Sequence, residues 1–236
     1  MITTQTKTPV AAHHHQRVRY NNPPMESRRK SITDFLTFTV FIVVILVGND
    51  LLQDYFPTAL AFVAIAFMGL TLTIGCARQR TIIENRPHWH EIGFSKPKRI
   101  DLLWGLANAA ITLTISWVFV DLTHYYSIDA NEIPTWAVGM GAMLPLLAGE
   151  AFRAASEEVA FRGYMIPRLE RAFGSKGAVL ASSVMFGILH YPYVSGLVLM
   201  GAVDGLIFLK TRRLWATILG HSIHNGVIYG TALLNA

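Results

Sequence analysis

The sequence predicts an all-α fold: a polytopic membrane helix bundle of about seven transmembrane helices, with room for an interfacial helix. Three observations lead there. Of 236 residues, 52% are apolar and 15% are charged, whereas a soluble domain carries about 25% charged residues. The apolar residues are gathered into blocks, and spanning hydrocarbon takes about 20 of them in a helix. The connections between blocks alternate between rich and poor in Lys and Arg.

Residues 1–30 are polar, with HHH at 13–15, NNPP at 21–24 and RRK at 28–30. They read as a disordered basic tail that ends at the membrane surface. A secretory signal would start its apolar core closer to the N-terminus. An isolated histidine triplet in such a tail is read as inert. Residues 31–236 then form a single transmembrane domain. The first two blocks cover residues 32–49 and 57–77. The third runs from Leu102 to Leu122, and the fourth starts near Trp136 and leads into EEVAFRG at 157–163. The fifth starts near Gly177 and passes His190; the sixth covers about 195–209 and the seventh about 214–234. The last three are rich in Gly, Ala and Ser, which lets helices approach closely. The first blocks are therefore expected to face lipid and the later ones to form the interior.

The stretch 136–170 is too long for one upright helix. Pro145, Gly149 or Pro167 is expected to break or tilt it, or the part beyond Gly163 to lie along the interface.

Basic residues fall in the tail (Arg17, Arg19, Arg28, Arg29, Lys30), the second connection (Arg78 to Arg99), the fourth (Arg162, Arg168, Arg171, Lys176) and the sixth (Lys210, Arg212, Arg213). The connection at 123–135 carries Asp129 and Glu132 instead. Positive loops stay cytoplasmic, so the N-terminus is expected inside and the C-terminus on the opposite side. The same distribution accounts for the formal charge of +5 without nucleic acid, for which no basic–aromatic pattern exists. The single cysteine, Cys76, cannot form an internal disulfide.

Four polar clusters lie inside the apolar blocks, where ionisable residues are rare and mark function. Glu158 and Arg162 are four apart and can pair on one helix face. Glu157 points about 100° away from Glu158, which leaves it free for chemistry. Phe186 and His190 are four apart in FGILH; His221 and Asn225 are four apart in HSIHN, with His224 in the same turn. Asp204 stands alone in GAVDG and is read as a packed polar residue. At 1.5 Å per residue, His221 and Asn225 lie roughly 10–17 Å, His190 roughly 20 Å and Glu157 roughly 16–21 Å inside the basic face. These depths can coincide.

A buried carboxylate beside a histidine is a general base for water. His221 and the Asn225 amide are suitable donors to a developing oxyanion. Glu157, His190, His221 and Asn225 thus make a candidate peptidase site, supported by Glu158 and Arg162.

EEVAFRG, FGILH and HSIHN, in that order on late hydrophobic segments, resemble the CPBP family, the C-a-a-X-type prenyl-protein endopeptidases and bacteriocin-processing or self-immunity proteins. The family pattern is EExxxR, then FxxxH, then HxxxN or HxxxD. The resemblance spans residues 157–225 and implies an all-helical intramembrane endopeptidase of the glutamate type, without a cofactor. It implies that Glu157 and His190 activate water, that His221 and Asn225 form the oxyanion site, and that Glu158 and Arg162 orient the motif. His224 falls outside the pattern and is read as packing. The implied partners are membrane lipid and a membrane-associated or lipidated peptide.

Three rival readings remain. Glu157, His190 and His221 could supply three zinc ligands, although HEIGF at 90–94 lacks the second histidine of HExxH. A non-enzymatic immunity or scaffold protein would need no oxyanion donors. A transporter using Asp204 and the glutamates as a proton relay would carry a repeat that is not evident here.

Overall fold

The computed structural model describes residues 25–55, 59–84, 89, 92–123, 143–191 and 193–235. The histidine triplet, the acidic connection at 124–135 and the expected start of the fourth block near Trp136 lie outside the described residues. Those described form α1 (Met25–Tyr55), α2 (Ala59–Ile83), α3 (Arg99–Thr123), α4 (Met143–Glu158), a π-helical turn (Val159–Met165), α5 (Ile166–Leu189), α6 (Val194–Thr211) and α7 (Leu214–Asn235). Arg28, Arg29 and Lys30, assigned to the tail by sequence, lie near the start of α1.

Among the described residues, five stretches are long and apolar enough to cross a membrane: 28–52, 60–83, 99–118, 143–189 and 194–211. The expectation of seven arises from dividing 143–189 in two and adding α7. The chain does divide there, because Gly174 adopts φ 71° and ψ 172°, a left-handed conformation outside the helical range. Glycine takes that conformation without the steric penalty a Cβ imposes.

Of the three positions offered for a break in the long fourth segment, Pro145 and Gly149 lie inside regular α4, and Pro167 lies in the first turn of α5. The hydrogen-bonding pattern widens instead at 159–165, directly after the paired glutamates. Phe161 O accepts there from Ile166 N–H, five residues on, and from the Ser182 hydroxyl at 3.2 Å. A carbonyl displaced from the α-helical ladder thus gains a second partner from α5. Gly149 serves packing rather than a bend: a Cβ there would lie 1.7 Å from the Phe62 ring of α2.

Amphipathicity is inverted on the outer helices. Leu36, Val40, Val44, Val47 and Leu51 form one exposed stripe of α1, while Phe35, Phe38 and Ile42 face inward and are buried. The buried share of the most apolar window rises from 22% in α1 to 44% in α6. Apolar residues turned outward suit hydrocarbon rather than water, in keeping with lipid-facing early helices and interior late ones.

The bundle is held by α3 on α7, α5 on α6, α2 on α4 and α4 on α7. One end is tied by ion pairs: Arg168 with Glu84 at 2.7 Å, Arg212 with Glu170 at 2.7 Å, and Arg213 with Asp101. Leu214 N–H donates to Gly93 O, and the Trp215 indole donates to Ser95 O at 2.6 Å. Loop cations read as orientation signals thus also fasten the loops to the helices. Every residue of the π turn is buried beneath them.

Candidate active site

Glu150, Arg153 and Glu157 recur at i, i+3 and i+7, which places them on one face of α4. That face meets α7. Glu157 is 2% exposed, and its Oε1 accepts from Arg153 Nε at 3.4 Å. Sequence left Glu157 without a cation because it excluded Arg162. The partner is Arg153, one turn earlier, where i,i+4 spacing made it legible.

Two imidazoles approach the other oxygen of the same carboxylate. His190 Nε2 and His221 Nε2 each lie 3.7 Å from Glu157 Oε2. Both are oriented from behind. His190 closes α5, and its Nδ1 lies 2.7 Å from Phe186 O. A carbonyl only accepts, so Nδ1 carries a proton and Nε2 faces Glu157. His221 Nδ1 lies 2.9 Å from Glu158 Oε1. The carboxylate accepts, so here too Nδ1 carries a proton and Nε2 faces Glu157.

Phe186 explains the first residue of its motif. Its ring lies 4.4 Å from that of His190, 5.1 Å from Phe161 and 4.6 Å from the Arg162 guanidinium. It separates the histidine from the cation while packing against both.

Glu158 and Arg162 pair as their spacing requires, with Nη1 2.8 Å from Oε1. Arg162 also binds Asp204 Oδ2 of α6 through Nη2 at 3.0 Å. Asn108 of α3 donates to Asp204 Oδ1 at 2.6 Å. Asp204 is therefore not a solitary packed residue but the second anion on Arg162. A lone carboxylate in an apolar helix was the available signal, since such a group is costly without a partner. Asn108 gave no comparable signal.

Asn225 lies one turn beyond His221, as expected, and its amide donates to Glu150 Oε2 at 3.1 Å. His224 is buried, with Nε2 2.7 Å from Ser116 Oγ and Nδ1 3.2 Å from Asn225 Oδ1. Glu150 was missed because it precedes the motif by nearly two turns.

Among the described residues, the cluster whose donor atoms lie within 4.8 Å of one another is Glu158, Asp204 and His221. Arg162 already supplies the cation there, bound to both carboxylates. A metal at that point would have to displace a buried guanidinium. This is not the Glu157–His190–His221 set that sequence offered for zinc.

Residues 139–227 match the family model for Rce1-like proteins, described as type II CAAX prenyl endopeptidase Rce1-like. The matched range contains all three motifs, and the resemblance read from them stands. With the apolar helices above, it makes the chain an integral, multi-pass membrane protein. Comparison with curated proteins and with solved structures gave no match.

Proposed function

From a chain whose residues 139–227 fall in the Rce1-like family of CAAX proteases, we propose an intramembrane endopeptidase of the glutamate type. Its substrate is a membrane-associated or lipidated peptide. The observation that carries the mechanism is the approach of two Nε2 atoms to one carboxylate oxygen, each at 3.7 Å. That separation exceeds a direct hydrogen bond and suits a water bridging the groups.

Water bound between Glu157 and His190 attacks the scissile carbonyl carbon while Glu157 takes its proton. Charge gathers on the carbonyl oxygen. His221 meets it with Nε2–H as an imidazolium flanked by Glu157 and Glu158, and Asn225 meets it with an amide N–H. The tetrahedral intermediate collapses, the C–N bond breaks, and the amine leaves with the proton returned through Glu157 and His190. The products are a carboxylate and an amine. Low-dielectric surroundings strengthen each of these contacts.

The test uses purified protein in lipid vesicles and a farnesylated peptide ending in Cys-aliphatic-aliphatic-X. Wild type should release the last three residues, and Glu157→Gln should not, with its unfolding temperature unchanged. Cleavage by Glu157→Gln at the wild-type rate would remove the base from the mechanism. Mass spectrometry of membrane peptides from cells carrying either form would identify other substrates.

A further inference from the structure

We propose that Ser116, His224 and Glu150 are positioning residues that fix which way the Asn225 amide faces, holding an N–H rather than the oxygen toward the substrate carbonyl. This rests on the reading of Asn225 as an oxyanion donor.

The two ends of an asparagine amide are almost the same shape but opposite in hydrogen-bonding sense. If the amide flips, an oxygen faces the developing oxyanion, and the group repels what it should stabilise. The local spacing of HSIHN does not choose between these orientations. The choice comes from partners on three helices.

On one side, Asn225 Nδ2 lies 3.1 Å from Glu150 Oε2 of α4. An ionised carboxylate accepts only, so it requires the amide nitrogen. On the other side, Asn225 Oδ1 lies 3.2 Å from His224 Nδ1. That contact is favourable when Nδ1 carries the imidazole proton. Ser116 of α3 sets this tautomer. Its hydroxyl lies 2.7 Å from His224 Nε2 and 3.7 Å from Met200 Sδ. A hydroxyl has one proton to give, and a thioether is a weak acceptor. The proton goes to Nε2, and the imidazole proton stays on Nδ1.

The chain runs in one direction: Ser116 O–H to His224, His224 N–H to Asn225 oxygen, Asn225 N–H to Glu150. Flipping the amide would set oxygen against carboxylate at one end and NH2 against N–H at the other. One amide proton is committed to Glu150, and the second remains for substrate. His224 and Glu150 are both buried, at 5% and 2% exposure, so water does not readily replace either partner.

The experiment compares wild type, Ser116→Ala, His224→Leu, His224→Gln and Glu157→Gln in detergent micelles. The first readout is independent of substrate: exchange of the Asn225 side-chain amide protons in asparagine-labelled protein, assigned by their loss in Asn225→Asp. The second is kcat and KM on the farnesylated peptide. His224→Leu should lose amide protection and about tenfold or more in kcat, short of losing the donor outright. KM should stay within about twofold. Ser116→Ala should do the same more weakly, and His224→Gln, which keeps an N–H donor, should recover part of both.

Unchanged exchange and kcat in Ser116→Ala and His224→Leu, with Glu157→Gln inactive, would overturn the positioning role and leave the peptidase reading standing. Normal turnover by Glu157→Gln would instead remove Glu157 as the base, and no turnover by wild type would overturn the peptidase reading; in either case the exchange measurement would still decide whether His224 orients the amide. Should His224→Leu fail to fold, Ser116→Ala carries the test, since that hydroxyl touches no substrate-facing group.

Discussion

Arg162 Nη2 lies 3.0 Å from Asp204 Oδ2, which ties the π-helical turn to the middle of α6. The same guanidinium holds Glu158 at 2.8 Å, and Glu158 holds His221 at 2.9 Å. Asp204 of α6 thus supports, through Arg162 and Glu158, an imidazole of α7 in the candidate site.

Asp204→Ala should therefore cost stability. Removing one member of a buried ion pair typically costs 3–5 kcal/mol; because Glu158 still satisfies Arg162, a loss of about 3 kcal/mol is expected. Asp204→Asn keeps an acceptor and should lose less. Thermal unfolding in detergent measures both, and a wild-type midpoint in Asp204→Ala would remove the pair from the account of the fold.

Glu157 and Glu158 are neighbours with separable roles. Glu158→Gln should lower both the unfolding temperature and kcat, because one oxygen serves Arg162 and His221 together. Arg162→Ala should be worse, leaving Glu158 and Asp204 facing each other without a cation. A loss of about 3–5 kcal/mol is expected. Calorimetry beside the peptide assay checks this. Full stability in Arg162→Ala would mean the carboxylates do not need the guanidinium.

Order and spacing made Glu157, His190 and His221 legible as candidates, and the structure brings their side chains together, because each motif is a local i,i+4 pattern and charge in an apolar block demands a reason. Asp204 carried a signal as a lone carboxylate but not its partner, and Asn108, Glu150 and Ser116 were not legible as neighbours of the candidate site. Their partners lie on other helices, and helix packing sets those meetings. The π turn was hidden for a related reason. Gly163 and Pro167 weaken a helix locally, but neither says that the ladder widens, and the widened ladder is supported from outside by Ser182.

Zinc chelation should leave turnover of the farnesylated peptide unchanged, since in the proposed mechanism Glu157 and His190 activate the water without a metal. Elemental analysis of the purified protein should find less than one zinc per chain. Activity lost on chelation and restored by zinc would favour a metallopeptidase built on Glu157, His190 and His221.

Alternate basic connections predict a cytoplasmic N-terminus and a C-terminus on the opposite side. A reporter active only in the cytoplasm should work when fused before Met1 and fail when fused after Ala236. Activity at both ends would require an even number of crossings.

The widened turn at 159–165 sets the phase between two helical arms. Upstream, it fixes the azimuth of Glu150, Arg153 and Glu157; downstream, that of Arg168, which reaches Glu84. Adding one residue to VAFRGYM, beyond what the widened ladder already absorbs, would rotate one arm against the other by about 100°. Glu157, the proposed base, and the Arg168 anchor could not then both point home. The segment is thus a length-coded gauge: it tolerates a change of side chain better than a change in the number of peptide units.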